Sequence, residues 1–347
     1  MPLLTRSAAR LWTCAPAPAD VRVFHASLPG YAPTPLTELP ALAADLGVAR
    51  VFVKDESNRL GLPAFKVLGA SWAIHRLLAA ADGPLTLVTA TDGNHGRAVA
   101  RTARLLGQRA HVLVPKGVHP AAADAIATEG ARVTHVDGPY DEAVRRAAEV
   151  AKEPGSVLVQ DTAWPGYEEI PGWIVEGYST LFAEVDDQLA AAGAESPDLV
   201  AVPVGVGSLA QAAVTHYRSR PAPGPSLLSV EPDAAPCVLT GLTHGRPLSV
   251  PTGDTAMAGL NCGTPSGLAW PFLRDGLDAA VAVSDSGSAR AARDLAALGI
   301  SSGPCGAASL AGVRAAVAQG LVLESAATVV LISTEGAAAN PRSHGTG

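Results

Sequence analysis

The sequence predicts an α/β fold with two domains, each built on a mainly parallel sheet flanked by helices, and an active site in the cleft between them. Three observations support this prediction. Short apolar segments alternate with amphipathic segments of helical period, a pattern typical of βαβ units. The chain has 347 residues, which suits about two domains. Its composition is 48% hydrophobic and 16% charged, which indicates a large buried core.

The first 50 residues predict a mostly irregular arm. Within it, a short helix over 39–46 ends at Gly47, since glycine commonly stops a helix. Residues 48–54 predict the first strand. A polar stretch then leads into a helix that begins near Lys66, where apolar residues recur at helical spacing.

Two series of alternating strands and helices follow. The first comprises strands over 85–90, 110–114, 132–136 and 157–160, and helices over 95–106, 119–129 and 140–152. The second comprises a long helix over 174–192, strands over 198–204, 227–230, 279–283 and 328–332, and helices over 208–217, 288–298 and 307–318. Residues 241–278 are loop-rich, and their pattern assigns no element. This alternation predicts mainly parallel sheets that bind ligands at the carboxyl ends of their strands.

The charge balance argues against a nucleic-acid or membrane partner. The net charge is −7, and the lysines and arginines are scattered along the chain. No apolar run approaches the ~20 residues of a membrane span. Arg6 and Arg10 interrupt the apolar N-terminus, which favours a cytoplasmic protein over a signal peptide, with a targeting segment as the alternative. The four cysteines lack CxxC spacing, so we expect reduced thiols and no metal site.

Lys66 lies in the first turn of its predicted helix, the end of a helix that disfavours positive charge. A lysine held there and partly desolvated has a lowered pKa. Its amine is then a better nucleophile toward an aldehyde, as imine chemistry requires. The alternative is a surface lysine at a helix start.

A polar loop over 89–96 runs from a predicted strand into a helix. Its hydroxyls, its backbone N–H groups and the helix N-terminus suit an anion such as a carboxylate. Asp92 opposes that role, because a carboxylate repels an anion. The alternative is an N-cap with ordinary turn residues. His95 is a candidate acid or base, or a residue that fixes the loop.

Two further loops follow predicted strands. Gly205, Val206, Gly207 and Ser208 join a strand to a helix, so their backbone N–H groups suit a small phosphate. This turn is too short for a dinucleotide fingerprint and lacks the lysine of a P-loop, and glycine-rich turns are common there. Asp161 ends a buried strand, where desolvation raises its pKa and suits it to proton transfer. Capping of the next turn is the alternative.

Ser333 and Thr334 end the last strand and offer hydroxyls to a ring nitrogen. With them, the chain holds Lys66, the loop over 91–96 and the turn over 205–208 in a familiar order. Together these segments resemble the fold-type II pyridoxal-phosphate enzymes, the tryptophan synthase β-like family, over most of the chain. The resemblance implies pyridoxal 5'-phosphate as the cofactor.

The resemblance also implies two domains. A large domain of 1–57 and 166–347 would bind the cofactor phosphate, and a small domain of 58–165 would carry Lys66 and the substrate-carboxylate loop. Lys66 would bind the cofactor covalently. The implied contacts to the cofactor phosphate are Gly205, Val206, Gly207 and Ser208. Asn94 would contact the ring hydroxyl, and Ser333 or Thr334 would contact the pyridine nitrogen.

Three stretches, 54–69, 89–97 and 160–167, are most similar to the diaminopropionate ammonia-lyases of that family. Serine and threonine dehydratases usually have a serine where Asp92 stands, and cysteine synthases have an Asn-Thr-Gly loop. The resemblance therefore implies α,β-elimination of 2,3-diaminopropionate to pyruvate and ammonia through an aminoacrylate. A neutral hydroxyl at the ring nitrogen weakens the electron sink and favours quick elimination.

The resemblance further implies how the substrate is held. The implied contacts to its carboxylate are Thr91, Asn94, His95 and Gln160. Asp92 and Asp161 would pair with the cationic β-amine. They would also take the α-proton, one for each enantiomer, with Lys66 as the competing base.

Two other functions remain open. One is elimination or replacement on a different β-substituted amino acid, as in a serine or threonine dehydratase or a cysteine synthase-like enzyme. The other is a cofactor-free α/β binding protein. We also expect a homodimer that acts on a small amino-acid substrate.

Overall fold

The computed structural model describes residues 2–221 and 223–339. Residues 1, 222 and 340–347, which fall in the expected large domain, lie outside the described residues. The described strands, β1–β11, are Leu4–Thr5, Leu36–Glu38, Arg50–Asp55, Thr86–Ala90, Arg109–Val114, Arg132–His135, Ser156–Leu158, Leu199–Pro203, Ser226–Pro232, Ala279–Val283 and Thr328–Ser333. The described α-helices, α1–α13, are Asp20–Ser27, Pro40–Leu46, Val67–Ala79, Asn94–Leu105, Pro120–Thr128, Tyr140–Val150, Glu169–Gly177, Ser179–Ala191, Ser208–Arg218, Cys237–His244, Trp270–Gly276, Asp285–Ala297 and Pro304–Ala318.

The larger sheet has seven strands in the order β1-β10-β9-β8-β11-β3-β2. Its five central strands are parallel, and the short edge strands β1 and β2 pair antiparallel. The smaller sheet has four parallel strands in the order β6-β5-β4-β7. The α/β class with mainly parallel sheets is therefore confirmed.

The chain crosses between the two sheets twice. It leaves the larger sheet after β3, builds the whole smaller sheet, and returns after β7. Lys66 lies on the outward connection and Asp161 on the return. Two residues far apart in sequence thus reach the same space between the sheets.

Close packing of two helices fixes the helix that follows Lys66. A Cβ at Gly69 of α3 would lie 2.7 Å from the carbonyl oxygen of Ile174, and one at Gly177 of α7 would lie 2.6 Å from that of Leu68. Only glycine permits backbones to approach this closely. The start of α3 is therefore held in place by the larger sheet's own helices.

A buried ion network anchors the segment before Lys66. Arg59 pairs with Glu56 and Glu184 at 2.7 Å, and Lys54 pairs with Glu184 at 2.6 Å, all with fully buried side chains. Two cations balance two carboxylates, and the hydrogen bonds offset the cost of desolvation. Burial opposes ionisation of Glu184, but Arg59 and Lys54 outweigh it and lower its pKa to about 2.

The predicted long helix over 174–192 is instead two helices, which meet at Tyr178. The N–H of Tyr178 bonds three residues back to Val175, as in the tight last turn of a helix. The first of the two also begins earlier than predicted, because Pro171 lies in its first turn, where no N–H is needed.

Two other regions are more ordered than the sequence predicts. The N-terminal arm contains α1, which is fixed by His25; its ring bonds Thr180 at 2.7 Å and the carbonyl of Leu68 at 2.9 Å. Residues 241–278 contain the end of α10 and all of α11. In both regions long-range contacts supply the order, and local patterns do not reveal such contacts.

Several whole-chain features bear on function. Within the described ranges, no helix is long and apolar enough to cross a bilayer. Over the same residues, no group of three potential ligands is placed to hold a metal ion. The four cysteines form no disulfide.

Candidate active site

A cavity of about 590 Å³ lies between the two sheets, at the carboxyl ends of their strands. Its walls include the residues just before α3, the loops after β4, β7 and β8, and the residues just after β11. All of the predicted site residues except Gln160 and Ser333 line it. Candidate groups that are dispersed in the sequence therefore share one space.

The amine of Lys66 donates to Oδ2 of Asp161 at 2.5 Å. The two side chains are 25% and 13% exposed, so solvent screens the pair only in part. Burial opposes the charge of Lys66, but the carboxylate of Asp161 outweighs it and raises the pKa of Lys66. The expected lowering was wrong, because helix position alone does not reveal a carboxylate that lies 95 residues away in sequence.

Asp161 lies between Lys66 and His95, with Oδ2 3.8 Å from Nδ1 of His95. Burial alone would raise its pKa, as the sequence led us to expect. His95 and Lys66 outweigh burial and hold the pKa of Asp161 well below its usual range. That expectation was therefore wrong for the same reason, and Asp161 is ionised at neutral pH.

Asp92 has a different environment from Asp161. It faces the cavity from the loop after β4 and forms no ion pair within the described residues. Asp92 is exposed to solvent at the open cleft, yet the surrounding protein partly desolvates its carboxyl, which raises its pKa. Two carboxyl groups whose pKa values are pushed apart suit different tasks in proton transfer.

The loop after β4 is fixed from within. Oγ1 of Thr91 accepts hydrogen bonds from the N–H groups of Gly93 at 3.0 Å and Gly96 at 3.1 Å, which leaves its own proton to donate. Nε2 of His95 lies 2.8 Å from the carbonyl of Val159 and so carries the proton. Burial lowers the pKa of His95, and in the described chain its Nδ1 has no hydrogen-bond partner. A neutral His95 thus holds the loop and presents one acceptor.

The end of β11 approaches the same loop. Nδ2 of Asn94 donates to Oε2 of Glu335 at 2.9 Å, which joins the two sheets across the cleft. Thr334 lines the cavity, whereas the Ser333 hydroxyl is buried and donates to Ser302. Side chains alternate along a strand, so only one of these two hydroxyls can face the cavity. Thr334 is the one that does.

The turn after β8 is packed too closely against its neighbours for side chains at its two glycines. Gly207 has a φ of +104°, and a Cβ there would lie 2.5 Å from Cδ1 of Leu273. A Cβ at Gly205 would lie 3.0 Å from Sγ of Cys262. Helix α9 begins at Ser208 and has no acidic residue in its first turn. Backbone N–H groups at this helix N-terminus therefore suit a phosphate.

Gln160 differs from its predicted position beside the substrate. It is fully buried behind the wall, where its side chain bonds Thr89, Ala90 and Tyr140. Sequence reasoning also missed titratable groups of the wall: Tyr140, Asp141, Tyr178, Cys262 and Glu335. Tyr140 had a usable signal, since it begins a helix directly after a strand of a parallel sheet.

Comparison with known families decides the class of the protein. A family model described as pyridoxal-phosphate dependent enzyme matches residues 27–335. The chain belongs to this family. Pyridoxal 5'-phosphate is accordingly its cofactor, and the cavity is the place where the family's chemistry would occur.

Two curated members of the pyridoxal-phosphate dependent family are similar over nearly the whole chain. Diaminopropionate ammonia-lyase of Salmonella typhimurium is 39% identical over 91% of this chain and 88% of its own. Diaminopropionate ammonia-lyase of Escherichia coli is 37% identical over 96% of this chain and 90% of its own. A crystal structure of the Escherichia coli enzyme with an aminoacrylate-PLP azomethine reaction intermediate has a TM-score of 0.85, with 37% identity and coverage of 96% and 89%.

The described residues fit the cofactor of the pyridoxal-phosphate dependent family. An amine for its aldehyde, Lys66, faces the cavity on one side. Another part of the wall is the turn over 205–208, whose backbone N–H groups lie at the N-terminus of α9. Thr334 also lines the cavity and offers a neutral hydroxyl.

Proposed function

We propose that the protein is a diaminopropionate ammonia-lyase that converts 2,3-diaminopropionate into pyruvate and ammonia with pyridoxal 5'-phosphate. One observation carries this proposal: Asp92 and Asp161 line the cavity that also holds Lys66. A substrate with a cationic β-amine is matched by carboxylates, whereas a β-hydroxyl is not. The similarity to two bacterial diaminopropionate ammonia-lyases supports the same substrate.

The chain's residues divide the work of holding the cofactor. When bound, the cofactor withdraws electrons from the α-carbon of an attached amino acid and so acidifies its α-hydrogen. Lys66 would hold the aldehyde group, and Asp161 lies within hydrogen-bond distance of its amine. Asn94 would hold the ring hydroxyl, and Thr334, with Ser333 behind it, would hold the pyridine nitrogen. The phosphate contacts proposed are Gly205, Val206, Gly207 and Ser208.

The acids take the proton and stabilise the leaving group. Asp92 accepts the α-proton of one enantiomer and Asp161 that of the other, while Lys66 competes as a base. The β-ammonium group leaves as neutral ammonia with the electron pair of its C–N bond. Water then displaces the α-nitrogen, so each substrate consumes one water and yields one pyruvate and two ammonia molecules.

The loop after β4 binds the substrate carboxylate. Thr91 has a hydroxyl proton to donate, because its oxygen already accepts two backbone N–H groups. Asn94 and His95 lie at the N-terminus of α4, whose dipole favours an anion. Gln160 contributes only indirectly, because its side chain bonds the hydroxyl of Tyr140, which lines the cavity.

A substrate panel tests the proposal. The holoenzyme is incubated with both enantiomers of 2,3-diaminopropionate, serine, threonine and O-acetylserine, and the 2-oxo acid and ammonia are measured. We expect two ammonia molecules per pyruvate from diaminopropionate and at least about 100-fold slower turnover of serine and threonine, since their hydroxyl leaves the two acids without a cationic partner. Faster turnover of serine or threonine, or replacement by added sulfide, would contradict the proposal.

We also infer three broader properties. The large domain of 1–57 and 166–347 and the small domain of 58–165 are supported by the sheets, since β4–β7 and no other described strands lie in the small one. A cytoplasmic homodimer that binds neither nucleic acid nor membrane is consistent with the net charge of −7. Light scattering of the purified holoenzyme tests the dimer.

A further inference from the structure

The side-chain amide of Gln160 makes two hydrogen bonds as an acceptor and two as a donor. Its Oε1 accepts from the N–H of Ala90 and from Oγ1 of Thr89, both at 3.0 Å. Its Nε2 donates to the carbonyl of Ala90 at 3.2 Å and to the hydroxyl of Tyr140 at 2.7 Å. The backbone of Ala90 offers one donor and one acceptor, so it determines which end of the amide is which. The nitrogen must therefore face Tyr140.

This orientation decides what the Tyr140 hydroxyl can do. Its oxygen accepts from Gln160, so its proton must be donated to another group. The bond from Gln160 is its only hydrogen bond within the described residues. Tyr140 lines the cavity beside the loop after β4, where Thr91 and Asp92 also lie.

Tyr167 provides an internal comparison. Its hydroxyl also meets Gln160, where it accepts the backbone N–H at 2.8 Å, but it donates its own proton to the carbonyl of Leu158 at 3.0 Å. Tyr167 does not line the cavity. Its phenol is thus fully satisfied within the protein, whereas the donor of Tyr140 faces the space where the substrate binds.

We propose that Tyr140 donates its hydroxyl proton to the carboxylate of the amino-acid substrate. This inference rests on the proposed function only in requiring an α-amino acid as substrate. The carboxylate is the acceptor that every such substrate brings, and the carboxyl groups already in the wall are not hydrogen-bonded to Tyr140. Gln160 is then a positioning residue, since it turns the phenol so that its proton faces the cavity.

The phenol remains a donor across the working pH range. Burial raises the pKa of Tyr140 well above its ordinary value, and the nearby carboxyl groups of Asp161 and Asp92 raise it further. Tyr140 is therefore unsuited to act as a base, and its contribution is to recognise the substrate's carboxylate. The Tyr140 hydroxyl therefore does not increase the affinity for amines that lack a carboxylate.

Binding of two unreactive amines tests this role. Alanine has the α-amine and carboxylate but no leaving group, and ethylamine lacks the carboxylate. Both are titrated into the holoenzyme, and binding is followed by the change in cofactor absorbance. We expect Tyr140→Phe to weaken alanine binding about tenfold to 100-fold, because a hydrogen bond to a charged group is lost, and to leave ethylamine binding unchanged.

Two further variants keep the test independent of folding. Tyr167→Phe should lower thermal stability and leave the ratio of alanine to ethylamine affinity unchanged. Gln160→Glu replaces the amide nitrogen with an acceptor, so the Tyr140 proton turns inward. Alanine affinity should then fall selectively although the phenol is intact.

Three outcomes would overturn the inference. If Tyr140→Phe weakened the binding of alanine and ethylamine equally, the Tyr140 hydroxyl would act on the cofactor or stabilise the fold and would not bind the substrate carboxylate. No loss for alanine would remove it from the substrate site. If Tyr140→Phe lowered turnover but not alanine binding, and had no effect on turnover when Asp92→Asn was already present, Tyr140 would act through Asp92. Selective alanine binding in an enzyme that does not consume diaminopropionate would contradict the proposed function and leave this inference intact.

Discussion

The two sides of the cavity differ in how they carry charge. The smaller-sheet side presents Lys66 and Asp161, whose pKa values shift because the two groups lie close together, and Asp92, whose pKa is raised chiefly by desolvation. The turn over 205–208 on the larger-sheet side presents no ionisable side chain and relies on backbone N–H groups and missing Cβ atoms. Groups that gain and lose protons are thus separated from groups that hold a fixed anion.

This separation has a physical reason. A phosphate keeps its charge throughout the reaction, so fixed dipoles can hold it without exchanging protons. The α-hydrogen and the leaving amine change charge, and they require side chains whose protonation can change. Substitutions on the two sides should therefore affect different measurements.

The largest effect is expected for Lys66→Ala. The variant should lose the absorbance band near ~410 nm that borohydride abolishes in the wild type, because the lysine supplies the imine. Turnover should fall by more than about 10⁴-fold. Lys152→Ala, at a lysine whose side chain is 71% exposed, should leave both measurements unchanged. A borohydride-sensitive band in Lys66→Ala would place the covalent link elsewhere.

The next largest effect is expected for Asp92→Asn. It should keep the cofactor band and lose about 10²–10⁴-fold in turnover of one diaminopropionate enantiomer, since a proton acceptor is removed. Asp161→Asn should impair the other enantiomer instead. It should also lower the pKa of the imine nitrogen that Lys66 supplies, because a neighbouring negative charge is lost, and a pH titration of the band would detect this. Equal effects of the two variants on both enantiomers would remove the distinction between them.

The same acid predicts a pH dependence. Asp92 must be ionised to accept a proton, and desolvation by the surrounding protein raises its pKa. In the wild type, kcat/KM for the enantiomer that depends on Asp92 should therefore fall as the pH drops, with a midpoint above the pKa of an ordinary aspartate. In Asp92→Asn this acidic limb should disappear from the residual activity. A wild-type midpoint at or below the ordinary value would contradict the raised pKa.

A smaller effect is expected for Gly207→Ala on the other side. Its positive φ and the contact with Leu273 would displace the turn and weaken cofactor binding about tenfold, measured by equilibrium titration of the apoenzyme. Gly193→Ala is the matched control, since Gly193 has a φ of +66° but no neighbour within 4 Å of an added Cβ. It should lower stability without changing cofactor affinity. If Gly193→Ala lowered cofactor affinity and Gly207→Ala lowered only stability, backbone strain, and not the turn over 205–208, would determine cofactor affinity.

The smallest effect is expected where the end of β11 meets the cavity. Thr334→Val should shift the cofactor absorbance and change turnover about twofold to tenfold, because one neutral hydrogen bond is removed. Ser333→Ala should have less effect on the spectrum, since its hydroxyl bonds Ser302 behind the wall. A larger shift in Ser333→Ala would reverse the assignment.

Local patterns revealed most of the elements and most of the site. Apolar periodicity located β3 to β11 but not the short edge strands β1 and β2, and Gly47 ends its helix as predicted. The division of the helix over 174–192 at Tyr178 was not predicted. The helix that contains His25 was also not predicted, because contacts from distant segments order it. By contrast, the loops that carry Thr91, Asp92 and Asp161 were recognisable from their positions after predicted strands.

Sequence specified the parts that depend on neighbours along the chain: the parallel α/β class, the lysine at a helix start, the glycine turn and the polar loops. Tertiary structure alone decided the electrostatics. The pairing of Lys66 with Asp161 reversed the expected pKa shift of each, and the backbone of Ala90 turned Gln160 toward Tyr140 and away from the substrate. The physical reason is distance: Coulomb and hydrogen-bond energies depend on separation in space, and spacing along a chain does not determine it.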